Sequence, residues 1–126
     1  MVARVQLTED AREDLRDLEG SARKSVIKGL KKLEAAPGQY GEPLGSRQSG
    51  NLTGFRKLIV GNKTYRIIYW VQDNAENDDV DLVVVWVIAE RADDQAYDLA
   101  LSRLQMMQHR EVANDLERLL VAVWRG

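Results

Sequence analysis

Ala3, Val5 and Leu7 alternate with Arg4 and Gln6, which is the period of a half-buried strand. Thr8 then offers a capping hydroxyl to a helix whose first turn holds Glu9 and Asp10, where the helix dipole favours negative charge. Ala11, Leu15 and Leu18 fall on one face of that helix, and Gly20 is its expected C-terminal stop. Ser21 is placed to cap a second helix with the apolar face Val26, Ile27, Leu30 and Leu33, ended by Pro37–Gly38. So short a link predicts an antiparallel helical hairpin.

Residues 37–54 contain both prolines and five of the nine glycines, so a loop is expected, long enough to suggest a functional role. Two strands follow, Phe55–Val60 and Tyr65–Gln72, flanking the tight-turn signal Gly61-Asn62-Lys63-Thr64. After the acidic turn 73–79, Val80–Ala89 is an almost unbroken apolar run, as expected for a strand covered on both faces. Asp93 or Asp94 caps a final helix carrying Tyr97, Leu101 and Leu104. The order predicts an α+β fold: an N-terminal strand, an antiparallel two-helix hairpin, a mostly antiparallel sheet of about four strands and a C-terminal helical extension. We divide the chain into a domain over 1–98 and the extension over 99–126.

Composition narrows the class. With 126 residues, 44% hydrophobic and 30% charged, the chain suits one soluble domain. The absence of cysteine excludes disulfides and thiolate metal sites. The start MVARVQLTEDAR has no apolar targeting segment, and the run Leu82 to Ala89 is far shorter than the roughly 20 residues of a membrane helix. A cytoplasmic protein is expected. The net charge of −2 conceals an asymmetry: residues 1–72 hold 13 basic and 8 acidic side chains, and residues 73–126 hold 5 and 12. The front half is therefore +5 and the back half −7, so the front could meet phosphates; chance segregation accounts for the same asymmetry.

No Ser-His-Asp set, metal-ligand spacing or phosphate loop can be assembled, and the single histidine, His109, sits in a helix with no carboxylate partner. The sheet offers another chemistry. A tight turn about Asn62–Lys63 puts Ile59 opposite Arg66 and Leu58 opposite Ile67, so Lys57 and Arg66 share a face as diagonal neighbours, about 7–8 Å apart at the backbone. A one-residue slip would separate them. Arg91 falls just past the next strand and Tyr97 near the start of the last helix. Such a set can cut RNA without histidine: guanidinium groups hold and stabilise phosphate, and a tyrosine or lysine, free pKa about 10, becomes a base beside cations. The same spacing also suits solvated strand residues and a packing tyrosine.

LTGFRKLIVGNKTYRIIYWV, VVVWVIAER and DDQAY together resemble the RelE/ParE superfamily of toxins of type II toxin–antitoxin systems, most specifically over residues 52–97. The resemblance to the ribosome-dependent RelE branch implies a metal-independent endoribonuclease that enters the ribosome and cleaves mRNA by 2′-hydroxyl attack, inhibiting translation without a cofactor. It implies that Lys57 contacts the phosphate, Arg66 stabilises the transition state, Arg91 serves the leaving group and Tyr97 acts as general base. Ile59 stands where RelE has a second catalytic lysine, and Arg56 points to the opposite face. The implied partners are a cognate antitoxin protein, the ribosome and mRNA, with no membrane. ParE-like inhibition of DNA gyrase and a silent antitoxin-binding domain are the alternatives the resemblance leaves. A helix from Asp94 to Trp124 would be about 46 Å long, against a domain diameter of roughly 34 Å. Its apolar positions Leu116, Leu119, Leu120, Val123 and Trp124 therefore suit packing on the sheet, a homodimer through the C-terminal helix, or antitoxin contact.

Overall fold

The computed structural model describes residues 3–36, 40–47, 50–62, 64–72, 82–90 and 94–108. β1 (Arg4–Leu7), α1 (Glu9–Asp17) and α2 (Gly20–Ala35) precede three two-residue strands, β2 (Glu42–Pro43), β3 (Ser46–Arg47) and β4 (Gly50–Asn51). β5 (Phe55–Val60), β6 (Tyr65–Gln72) and β7 (Leu82–Ala89) complete the strands, and a last helix, α3, covers residues 94–108. One five-stranded sheet has the order β1-β7-β6-β5-β2, and β3 and β4 form a separate pair. β1 runs parallel to β7, while the β7–β6, β6–β5 and β5–β2 pairs are antiparallel.

This is the α+β arrangement read from the sequence, with three short strands, β2, β3 and β4, added. The fifth strand, β2, comes from the Gly- and Pro-rich stretch expected to be loop, and sits at the sheet edge where Pro43 is tolerated. The first helix starts as expected, with the Thr8 hydroxyl accepting from the Ala11 N–H at 3.2 Å. Its end differs. Gly20 is the first residue of α2 rather than the stop of α1, and Glu19, not Ser21, is the N-cap of α2. An arginine closes α1 instead: Arg23 of α2 donates to the carbonyls of Leu15, Arg16 and Leu18 at 3.3, 2.9 and 3.0 Å. Those carbonyls are the acceptors a helix end leaves unsatisfied, so no left-handed glycine is needed.

Apolar side chains bury both faces of the sheet. Val26 and Leu33 of α2 and Ala11 of α1 pack on Ile67, Tyr69, Val83, Val85 and Ile88. On the other face Ala96, Tyr97, Ala100 and Leu101 of α3, with Leu44 and Leu52, cover Phe55, Ile68, Val87 and Ala89. β6 and β7 are thus covered on both sides, as the valine-rich run required. Helix α3 passes residues 98 and 99 without a break. No helix among the described residues is long and apolar enough to cross a membrane.

Candidate functional site

The β5–β6 hairpin closes through Gly61 and Asn62, both at positive φ (61° and 56°), with the Thr64 N–H donating to the Gly61 carbonyl at 3.1 Å. The reversal begins with these two left-handed residues, and the strands pair Val60↔Tyr65, Ile59↔Arg66, Leu58↔Ile67 and Lys57↔Ile68. This is the register anticipated from the turn. Lys57, Ile59, Arg66 and Ile68 therefore share the face that α3 covers.

Lys57 is well buried, its side chain 14% exposed, and its ammonium lies 3.9 Å from the carboxylate of Glu42 on the neighbouring β2. Arg66 is half-buried and its guanidinium donates to the Thr64 carbonyl at 3.3 Å. Ile59 presents an apolar side chain directly opposite Arg66. Tyr97 packs with Leu44 and Leu52 and is 1% exposed. Its hydroxyl is held by the carbonyls of Gly45 and Gly50, the latter at 3.0 Å. The sheet thus brings Lys57 and Arg66 together on one face; Tyr97 packs on that face with its hydroxyl turned to the loop. Arg91 and His109 lie outside the described residues, as does the expected helix beyond residue 108.

The sequence matches no family model and no curated protein. Solved structures do match. A chain of the toxin–antitoxin complex RelBE2 from Mycobacterium tuberculosis is 27% identical, with a TM-score of 0.56 over 72% of this chain and 100% of that one. A doubly substituted mutant of E. coli RelE in the free state is 19% identical, with a TM-score of 0.57 over 82% of this chain and 98% of that one. The isolated E. coli RelE toxin superposes with a TM-score of 0.53 at 20% identity, over 81% of this chain and 98% of that one.

The fold of the chain is RelE-like.

Within this RelE-like frame the described parts of the long loop, residues 40–47 and 50–54, wrap around the β5 edge. The buried Tyr69 hydroxyl donates to the Tyr40 carbonyl at 2.7 Å, and Arg56 donates to the Gly41 carbonyl at 3.0 Å, tying its start to the α2 side. Burial raises the Tyr69 pKa, with the Arg56 guanidinium pulling the other way. On the α3 side Leu44 and Leu52 are buried, and Gly50 lies against Leu101, whose methyl groups occupy the place a Cβ would take. The sequence did not reveal these anchors, because nothing local marks a strand tyrosine as the partner of a carbonyl 29 residues away.

Nor did it reveal an ion pair between Asp14 of α1 and Arg103 of α3, at 2.7 Å. Beside it a cleft of about 570 Å³ runs between α1 and α3, lined by Glu9, Asp10, Glu13, Trp86 and Met106 among others. Its wall carries three carboxylates, with Arg103 on the same lining. No group of three or more His, Asp or Glu able to hold a metal ion occurs among the described residues.

Proposed function

We propose that this chain is the toxin of a toxin–antitoxin pair and acts as a ribosome-dependent mRNA endoribonuclease. The observation that carries the reading is the Ile59↔Arg66 register, which gives Lys57 and Arg66 a common face on a RelE-like sheet. In the reaction the ribose 2′-hydroxyl loses its proton and attacks the adjacent phosphorus. The P–O5′ bond breaks, a 2′,3′-cyclic phosphate forms and the departing 5′-oxygen takes up a proton. Lys57 and Arg66 hold and neutralise the phosphate. Arg91 serves the leaving oxygen. Tyr97 gives up its own proton to solvent as it leaves the Gly45 and Gly50 carbonyls for the RNA, and the phenolate then takes the 2′-proton.

The ribosome orients the substrate, supplying positional advantage that so few cationic groups cannot supply alone. The setting is the cytoplasm. A separate antitoxin protein neutralises the chain, as the RelB partner in the M. tuberculosis complex accompanies its toxin. The test is induced expression with two parallel readouts: translation-dependent cleavage sites mapped on mRNA, and gyrase-linked DNA breaks. Codon-phased cuts that stop when translation is blocked support the nuclease. DNA breaks without cuts would replace it with gyrase poisoning, and neither readout would leave a silent antitoxin-binding domain.

A further inference from the structure

Helix α2 carries Arg23, Lys24, Lys28, Lys31 and Lys32 against a single acid, Glu34. On its inner face a Cβ at Gly29 would come within 2.8 Å of Val60 Cγ1 and 3.0 Å of Ile67 Cδ1. The missing side chain lets the helix settle onto the end of β5, which brings Lys28 and Lys32 beside the β5–β6 turn. They are one helical turn apart, about 6 Å along the axis. Together with Ser25, Ile59, Gly61 and Asn62 they line a groove of about 360 Å³. Both lysines are exposed, and the Lys32 ammonium also stands 5.9 Å from the centre of the Tyr40 ring.

The chemistry of the groove is selective. Its lining contains two ammonium groups, a hydroxyl and an amide, with no carboxylate and no aromatic ring among the described residues. The Tyr40 ring beside the groove already faces the Lys32 ammonium, so the lining itself offers a single-stranded base little to stack on. Ammonium groups beside small polar side chains suit phosphate oxygens, which carry no sequence information. Double-helical RNA presents such a backbone as a rigid surface. The acidic back half of the chain further restricts where RNA can approach.

We propose that the α2–hairpin groove binds the phosphate backbone of double-helical RNA. This is a second RNA contact, across the sheet from the face that bears Lys57 and Arg66. It rests on the reading of the chain as an RNA-cutting toxin, which it deepens by giving the same hairpin an anchor on structured RNA.

The test is binding of a fluorescent RNA duplex of about 16 base pairs to the full chain, followed by anisotropy across a salt series. Lys28→Gln with Lys32→Gln should weaken binding about five- to tenfold near 0.1 M salt and lower the slope of log K against log salt by about 1.5. Arg12→Gln with Arg16→Gln removes the same charge from exposed positions of α1 and should leave both quantities unchanged. An unaltered slope in the lysine variant, or an equal loss in the arginine variant, overturns the groove. Tighter binding of polyglutamate than of duplex, lost in the lysine variant, would reassign it to an acidic protein. mRNA cleavage is scored separately, so failure of the nuclease reading and failure of the groove remain distinguishable.

Discussion

Arg103 and Asp14, 89 positions apart in the chain, meet in a two-pronged pair, Nη1 to Oδ2 at 2.7 Å and Nη2 to Oδ1 at 2.9 Å. Its location explains its use. β1 ends at the pairing Leu7↔Val85, and β7 continues past it through an irregularity opposite Ile68 and Tyr69, where Trp86 is the extra residue. Beyond Val85 the outer edge of β7 needs other partners. Asp14 accepts from the Ile88 N–H at 3.0 Å, and Arg103 donates to the Trp86 carbonyl at 2.9 Å. Asp14 and its neighbouring carboxylates raise the Arg103 pKa further above its ordinary value. The pair finishes the sheet edge and fastens α3 to α1.

Asp14→Ala should therefore lower stability by about 2–3 kcal/mol, less than a fully buried pair because both side chains keep some solvent contact. A double-mutant cycle with Arg103→Ala, read by urea denaturation, should give a coupling above about 1 kcal/mol. Simple additivity of the two losses would show that the pair contributes no more than its separate packing.

Arg66→Ala and Arg91→Ala should each reduce ribosome-dependent cleavage by about 10²–10³, with the far-UV spectrum unchanged. Cleavage is read by mapping cut ends in a reconstituted translation reaction. Full activity in either variant removes that residue from the proposed chemistry.

Tyr97→Phe removes the hydroxyl held by the Gly45 and Gly50 carbonyls and should cost about 1 kcal/mol. Amide exchange should quicken at Leu52, whose N–H donates to the Gly45 carbonyl at 3.3 Å, and cleavage should fall as well. Unchanged exchange at Leu52 would mean that the loop does not depend on this tyrosine. Retained cleavage would dismiss Tyr97 as the base.

Tyr69 links stability to alkaline pH. Its folded pKa is raised above 10.0 by burial, so its contribution is complete below that value and is lost as pH rises through the folded value. The stability advantage of the wild type over Tyr69→Phe should hold up to about pH 10 and shrink as pH rises above it, measured by urea titration at each pH from neutral upward. A constant difference across that range would place the phenol in contact with water in the folded state.

Much of this was local and therefore legible. Strand period, the Thr8 cap and the Gly61-Asn62 turn act over a few residues, so the alternation of apolar side chains settled the elements. The turn settled the register that sets Lys57 beside Arg66. Even the anomaly at Ile59 could be read, since its place opposite Arg66 follows from the same turn. Tertiary structure decided what depends on distant partners. Whether α1 stops at a glycine or at Arg23 depends on how α2 returns; where residues 40–47 and 50–52 lie depends on Tyr69 and Tyr97 reaching their carbonyls. The edge of β7 depends on Asp14 and Arg103 arriving from opposite ends of the chain. Burial makes an unpaired polar group costly, but only the assembled fold determines which groups are buried together, and no periodicity in one segment records the carbonyl or carboxylate that another will supply.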